Sequence, residues 1–447
     1  MVVMANHWKR SRITKALTDA ARASSFKEAE ARLDAVHVAV VVGADQATTS
    51  AGQAAALTAI VTARKCFSRV TLVSEADVPL IAKLPLGTTL HRAARRIGSR
   101  IARKPPARTT HRIIVGHVAN DNGWAIRCWW DRWLSGTRVH HNEVGDSRLA
   151  LSGVFSAALA VRQVFAGVLA GKVLRARDAT VSLWTPWGAA DPRNVGPECF
   201  DIPDQFWFLG LGHLGQGFVW NLCLLGSTRG RAVVQDDQTI GEENEATSLL
   251  VTSDDIGEKK ARIAAMWLDM AGWTADIIER RHRGDIQLTP DDPPYLLSGL
   301  DRIEPRRVMA EHGFDYMIDA GLGHGPHDFE GIQLRVIPKG ASSGDLWNAP
   351  EHTREEAPSD RQENAAYKDL EMQIGQCGIV SFAEASTSVP FVGAAAGAIV
   401  IAQAIRLATL EPTARFLQMQ LSAPEMASVA DLVAKPSVNV GSTALQL

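Results

Sequence analysis

The sequence predicts an α/β protein with two related domains, each built from a mostly parallel sheet with flanking helices. In the second half, an apolar run at residues 206–209 passes into a glycine turn at 210–215 and then into an apolar, helix-like segment at 218–225. Residues 153–165 and 393–405 match at a constant offset of 240, which places a similar Ala-rich helix near the end of each half. Strands and helices that alternate in this way are typical of parallel-sheet domains.

The glycine turn has the spacing G-x-G-x-x-G, formed by Gly210, Gly212 and Gly215. The first glycine permits a tight turn, the second lets the backbone approach a phosphate, and the third lets helix and strand pack closely. A second apolar run ends on Asp236, about 20 residues after the last glycine, where an acid can bind a ribose hydroxyl. The pattern predicts a Rossmann-like second domain that binds a nucleotide.

The first half repeats this outline over residues 36–73 without the nucleotide chemistry. It keeps Gly43, but Asp45, Thr48 and Ser74 stand where the second half has its other two glycines and its acid. We therefore expect the first copy to be degenerate. A stretch rich in proline and glycine at 185–203 indicates the boundary, which gives predicted domains of residues 1–190 and 191–447.

Composition limits the class of protein. The 447 residues are 46% hydrophobic and 21% charged, which is typical of globular domains with large cores. The net charge of -2 does not favour nucleic acid as the main partner. Residues 95–112 are locally basic, and their opening run at 95–104 is interpreted as a solvated helix face. The start lacks the apolar segment of a signal peptide. The apolar run at 389–402 is shorter than the roughly 20 residues that span a bilayer, so we expect a cytoplasmic protein with no membrane partner.

The five cysteines form no C-x-x-C pair, so the sequence indicates neither a zinc site nor a disulfide framework. Cys377 follows a polar stretch and is flanked by Gly375 and Gly378. We interpret residues 341–376 as a mobile crossover loop. A reactive thiolate needs an exposed position with a lowered pKa, so Cys377 is the candidate nucleophile, with an ordinary packing role as the alternative.

The residues after the glycine turn narrow the class of nucleotide-binding protein. The stretch 236–240 reads Asp-Asp-Gln-Thr-Ile, Asn244 lies eight positions after Asp236, and the stretch 255–260 reads Asp-Ile-Gly-Glu-Lys-Lys. This set resembles the adenylation site of the ThiF-type family, the relatives of ubiquitin-activating enzyme. The resemblance covers residues 204–406 with recognisable motifs. It implies that both halves are adenylation domains and that the first is inactive.

The resemblance also implies ATP and Mg²⁺ as cofactors. Asp236 would hold the ribose, Asn244 and Lys260 would contact the phosphates, and Asp319 would bind the metal. Asp319 is expected at the end of a strand at 314–318, where open α/β sheets bind ligands. The alternatives are a solvated helix lysine for Lys260 and a loop-capping acid for Asp319. His324 and His327 follow in a glycine-rich stretch and are interpreted as polar loop residues.

Two positions depart from the family pattern. Gln238 occupies the place of the second aspartate, and Thr247 occupies the place of an arginine that contacts phosphate. Relatives often take such an arginine from the partner domain or subunit, and Arg10 and Arg12 are candidates for that role.

The implied reaction is adenylation of the C-terminal carboxylate of a ubiquitin-like protein, followed by thioester formation on Cys377 and transfer to a conjugating enzyme. Two such domains in one chain form an internal pseudo-dimer, which points to a bacterial ubiquitin-like conjugation system with an antiviral role. Homodimerisation of the whole chain is left open.

Two other functions remain as alternatives. An NAD-dependent oxidoreductase would use the glycine turn and Asp236 but would not need Asn244 or Lys260. A non-catalytic scaffold that binds a ubiquitin-like protein would agree with Gln238 and Thr247.

Overall fold

The computed structural model describes residues 10–119, 123–139, 147–191, 193, 195–226, 229–323, 328–341, 347, 366–367, 387–433 and 441–446.

In the part of the first domain that the structure describes, two helices precede the strands of the sheet. Its helices are α1 (Ser11–Thr18), α2 (Phe26–Asp34), α3 (Ala44–Ala47), α4 (Ser50–Cys66), α5 (Leu90–Arg96) and α6 (Ala150–Ala170). Its strands are β1 (His37–Val42), β2 (Arg69–Val73), β3 (Pro79–Leu84), β4 (Gly87–Thr89), β5 (Arg100–Ala102), β6 (His111–Val115), β7 (Ala125–Asp131), β8 (Leu134–Arg138) and β9 (Ala179–Ser182).

The second domain has the same kinds of element. Its helices are α7 (His213–Leu224), α8 (Glu242–Glu245), α9 (Lys260–Ala271), α10 (Ile303–Ala310) and α11 (Pro390–Ala408). Its strands are β10 (Cys199–Pro203), β11 (Gln205–Leu209), β12 (Gly230–Gln235), β13 (Trp273–Ile278), β14 (Tyr295–Ser298), β15 (Tyr316–Leu322), β16 (Gly331–Pro338), β17 (Thr413–Gln420), β18 (Ser428–Val433) and β19 (Ser442–Gln446). Single 3-10 turns lie at Ser253–Asp255 and Pro424–Met426.

The two main sheets share one strand order. The first is β5-β2-β1-β6-β7-β8-β9, and the second is β13-β12-β11-β14-β15-β16-β17-β18. In each sheet the first five strands are parallel, and the later ones are antiparallel. The long Ala-rich helices α6 and α11 occupy equivalent places between the last two shared strands. Two related α/β domains with mostly parallel sheets are therefore confirmed.

The domains share one hydrophobic core. Helices α4 and α6 of the first domain pack with α7 and α11 of the second. A Cβ atom at Gly217 of α7 would overlap the carbonyl oxygen of Gly393, and one at Gly397 would overlap the carbonyl oxygen of Gly217. The small residues therefore let the backbones of α7 and α11 touch, as the Ala-rich composition predicts.

Among the helices that the structure describes, α6 and α11 are long and apolar enough to cross a membrane by length and composition. The apolar window of α11 is wholly buried in the protein and that of α6 mostly so. Both are core helices in this fold.

Two tryptophans of the first domain pack inside its core. Trp130 and Trp133 are fully buried. Trp133 lies edge-on to Phe200, with ring centroids 4.9 Å apart, and its indole N–H donates to the carbonyl oxygen of Pro197 over 2.9 Å. These aromatic rings connect the first sheet to the start of the second domain.

Two expectations about elements need correction. The helix after the glycine turn begins at His213, five residues earlier than the apolar pattern suggested. The strand expected to end on Asp319 runs over Tyr316–Leu322, so Asp319 lies inside it. In addition, residues 285–305 contain β14, which is paired with β11 and β15 in the middle of the sheet. A four-residue strand beside Pro293 and Pro294 is too short to show a periodic pattern.

Candidate functional site

The glycine turn joins β11 to α7 at the carboxyl edge of the second sheet. Gly210 has a φ of +78° and donates its N–H to the carbonyl oxygen of Gln235 over 3.0 Å. A Cβ atom at Gly215 would overlap the carbonyl oxygen of Gly210, whereas one at Gly212 would meet nothing within 4 Å. The first glycine supplies the turn, the third permits close packing, and the second faces open space.

The start of α7 is free to bind an anion. Gly212 is its N-cap residue and offers no side-chain hydrogen bond, and the first N–H groups of a helix have no partner inside the helix. β12 lies on one side of β11 and β14 on the other, so the turn is at the point where the chain changes direction across the sheet. Open α/β sheets bind nucleotides at such points.

Asp236 connects the glycine turn to the loop after β12. Its Oδ2 accepts the N–H of Leu211 over 2.7 Å, and its Oδ1 accepts the N–H of Gln238 over 2.8 Å. A carboxylate has about four lone-pair positions. Both oxygens can thus accept a further bond from a ribose while they hold the turn in place.

Lys260 is the first residue of α9, and its side chain reaches back into the cleft. The residue is 4% exposed, and its Nζ donates to Oε1 of Gln238 over 2.7 Å. Burial lowers the pKa of Lys260, while Asp236 opposes that shift. A buried ammonium whose direct partner is a neutral amide is poised to gain from an anionic ligand.

Asn244 and Thr247 shape the loop that faces α7. Oδ1 of Asn244 accepts the N–H of Gly241 over 2.9 Å and caps α8. The carbonyl oxygen of Thr247 accepts a hydrogen bond from Nδ1 of His213 over 2.8 Å. Burial lowers the pKa of His213 to about 4, so its imidazole is neutral at pH 7. The loop is thereby attached to the glycine turn.

The structure separates the two candidate arginines. Arg10 is held within the first domain, where it donates to Glu30 over 3.2 Å, to Asp34 over 2.7 Å and to the carbonyl oxygen of Cys66 over 3.4 Å. Arg12 instead interacts electrostatically with the second domain, where its charge favours a lower pKa for both Lys260 and His213.

Arg12 also has spare hydrogen-bonding capacity. Its Nε is buried, and within the described part of the chain it has no hydrogen-bond partner. Unpaired buried donors are uncommon and costly. A guanidinium with an unused donor near Lys260 suits a phosphate ligand.

Asp319 is not presented to the cleft. It is fully buried, its Oδ1 accepts from Oγ of Ser298 over 2.9 Å, and its Oδ2 lies 3.4 Å from Nη1 of Arg306. Burial raises the pKa of Asp319, and Arg306 and then Arg335 oppose that shift. A metal ion at Asp319 would have to displace Arg306, so the described geometry does not fit a metal there. Metal binding by Asp319 stays a prediction.

Asp301 is an acid that sequence reasoning missed. It follows β14 directly, in the loop where Gly299 donates its N–H to the carbonyl oxygen of Leu209 over 2.9 Å beside the glycine turn. Asp301 is exposed, and its charge opposes the lowering of the Lys260 pKa. The signal was the apolar run 295–297 followed by Ser-Gly-Leu-Asp, which marks the end of a buried strand.

Some predicted residues lie outside the described part of the chain. They are Cys377, His324 and His327, together with most of the segment 341–376. Of the other cysteines, three are buried and Cys199 is exposed. Burial raises the pKa of Cys66, Cys128 and Cys223, which makes these thiols poor nucleophiles.

Comparison with known proteins shows which family this chain resembles. Two family models match, the BilD N-terminal domain over residues 37–183 and the BilD C-terminal domain over residues 202–410. The bacterial E1-like protein BilD of Collimonas sp. (strain OK412) is 29% identical over 417 residues, which is 90% of this chain and 89% of that protein. The matches support membership of the E1-like family.

A second E1 relative matches a smaller part of the chain. The NEDD8-activating enzyme E1 catalytic subunit of Saccharomyces cerevisiae is 33% identical over 107 residues, which is 23% of this chain and 35% of that protein. The finer assignment to the ThiF-type group stays a prediction for this E1-like chain.

Proposed function

We propose that this E1-like chain binds ATP at the glycine turn and adenylates the C-terminal carboxylate of a ubiquitin-like protein. The observation that carries the proposal is the link from the glycine turn through Asp236 and Gln238 to the buried ammonium of Lys260. Two cations and a set of free N–H groups suit a triphosphate, and Asp236 at the adjacent strand end suits its ribose. Similarity to E1-like proteins supports a protein carboxylate as the second substrate.

In the proposed reaction, a carboxylate oxygen attacks the α-phosphorus of ATP and the bond to the bridging oxygen breaks. Pyrophosphate leaves with the electron pair, and the product is an acyl-adenylate. Lys260, Arg12 and the N–H groups of α7 would stabilise the negative charge that develops on the phosphate oxygens. His213 is neutral at pH 7 and adds no competing charge.

The second step of the proposal is thioester formation on Cys377. The thiolate would attack the acyl carbon, AMP would leave, and the acyl group would pass to a conjugating enzyme. An exposed thiolate with a lowered pKa would suit this role. The assignment of the role to Cys377 is a sequence-based prediction. An antiviral setting likewise stays a prediction.

Magnesium would be held at the cleft by Asp301 together with the nucleotide. Asp301 is exposed beside Lys260, and carboxylate oxygens are ligands that Mg²⁺ prefers. When bound, the ion would neutralise charge on the phosphates. The buried Asp319 would instead support the sheet through Arg306.

We expect Lys260→Ala to lower the rate of ATP–pyrophosphate exchange by about 100-fold or more, because a buried cation facing the phosphates is lost. The assay uses the full chain with candidate ubiquitin-like proteins encoded beside its gene. Lys339→Ala is the matched control, since that lysine is exposed and paired with Asp315. Exchange with no candidate, together with stabilisation of the chain by NAD, would contradict adenylation and favour an oxidoreductase.

Cys377→Ala should keep pyrophosphate exchange and lose a thiol-sensitive adduct with the ubiquitin-like protein. The reason is that adenylation precedes attack by the thiolate. The adduct is read on non-reducing gels, with Cys199→Ala as the control because that cysteine is exposed. An adduct that survives in Cys377→Ala would assign the thioester to another residue.

Arg12→Ala should reduce exchange by about 100-fold, because the guanidinium would contact the phosphates directly. Arg10→Ala should keep exchange and lower the stability of the first domain instead, through lost bonds to Glu30 and Asp34. Exchange rates and urea unfolding of both variants separate the two roles. Equal exchange in Arg12→Ala and the unaltered chain would remove Arg12 from the site.

Asp301→Asn should raise the Mg²⁺ concentration needed for half-maximal exchange while it leaves the free energy of unfolding almost unchanged. Asp319→Asn should lower the free energy of unfolding by about 3–5 kcal/mol, because Arg306 loses its buried counter-charge. Magnesium titration and urea unfolding of each variant check both expectations. A Mg²⁺ requirement that shifts only in Asp319→Asn would return the metal to Asp319.

A further inference from the structure

Helix α1 carries three charged side chains on one side. Arg12, Lys15 and Asp19 are spaced by three and then four positions, which brings them to the same face of a helix. Nε of Arg12 is buried and has no hydrogen-bond partner among the described residues, and the charge of Arg12 acts on Lys260 and His213 of the second domain. Lys15 and Asp19 lie one to two turns further along and contact a different segment.

The residue that Lys15 and Asp19 contact in that segment is Tyr367. Nζ of Lys15 donates to the hydroxyl of Tyr367 over 2.6 Å and lies 3.0 Å from Oδ2 of Asp19. The Tyr367 hydroxyl in turn donates to Oδ1 of Asp19 over 2.6 Å. Tyr367 is 1% exposed, and its ring meets Phe26 of α2 edge-on at 5.4 Å. These three polar groups form a closed hydrogen-bonded triad.

The triad is strongly held because it is dry. The side chain of Lys15 is 0% exposed and that of Asp19 is 2% exposed. A buried ion pair is stable only when further hydrogen bonds satisfy its charges, and Tyr367 provides a bond to each partner. Loss of the tyrosine hydroxyl would therefore remove one hydrogen bond from each of these two buried charged groups.

We propose that Lys15, Asp19 and Tyr367 form a positioning site that fixes α1, and with it Arg12, against the nucleotide cleft. A helix rises about 1.5 Å per residue, so Arg12 lies about one turn from the triad and moves with it. Docking of Tyr367 and nucleotide binding are then coupled, and each favours the other. The proposal rests on the proposed function, in which Arg12 contacts the phosphates.

The coupling would connect two parts of the chain that are far apart in sequence. Tyr367 lies 352 residues after Lys15 in the sequence and contacts it directly. A change at the proposed nucleotide site would thus reach Tyr367 through α1.

Tyr367→Phe tests the positioning site, since it removes the hydroxyl and keeps the ring. Amide hydrogen exchange at residues 11–19 should become at least about 10-fold faster, and the turnover rate of ATP–pyrophosphate exchange should fall by a similar factor. Tyr316→Phe is the matched control, a partly buried tyrosine of β15. In the double variant Arg12→Ala/Tyr367→Phe, turnover should fall no further than in Arg12→Ala, because both changes act through Arg12.

A second measurement does not depend on adenylation. ATP alone should slow amide exchange at residues 366–367 in the unaltered chain, and Arg12→Ala should abolish that protection. Unchanged amide exchange at residues 11–19 in Tyr367→Phe, or additive losses in the double variant, would overturn the proposal. If no ubiquitin-like protein supports pyrophosphate exchange but ATP still protects residues 366–367, the proposed function fails and the positioning site stands.

Discussion

Direct contact between the backbones of α7 and α11 is the constraint on which the second domain depends. Gly217, Gly393 and Gly397 meet where any side chain would overlap a carbonyl oxygen. Because α7 begins at the glycine turn, this contact fixes the place and direction of its free N–H groups. It also fixes His213, whose Cε1 a side chain on Gly393 would approach within 2.8 Å. The anion site at the start of α7 therefore depends on helix packing that begins at Gly217, about one helical turn further along.

The first domain keeps the architecture of the second while it serves that domain. Nζ of Lys65, at the end of α4, donates to the carbonyl oxygen of Val251 over 2.9 Å and also to that of Glu245. Glu245 ends α8, and Val251 lies in the loop after it, which carries Thr247. Trp220 of α7 donates its indole N–H to Oγ1 of Thr58 over 3.0 Å. The first domain, which lacks this glycine turn, thus contributes hydrogen bonds that hold the proposed nucleotide site of the second domain.

The site illustrates how position in a sheet decides the role of an acid. Asp301 and Asp319 are carboxylates associated with the neighbouring parallel strands β14 and β15. Asp301 lies beyond the end of β14 and is exposed, whereas Asp319 lies inside β15 and pairs with Arg306. A similar division applies to Arg10 and Arg12, which are two residues apart and reach different domains. Small differences along the chain become different chemical environments once the elements pack.

The sequence by itself determined the features that local spacing controls. These are the strand, glycine turn and helix of the second domain, the acid at Asp236, the lysine at the start of α9 and the degenerate repeat in the first half. Each depends on backbone conformation within a few residues or on a fixed distance along the chain. Only the tertiary structure decided that Arg12 faces the cleft, that Asp319 is buried beneath Arg306 and that β14 joins the sheet beside β11. Those outcomes depend on which distant surfaces exclude water together, and a four-residue strand or a single arginine carries no local pattern that reveals its partner.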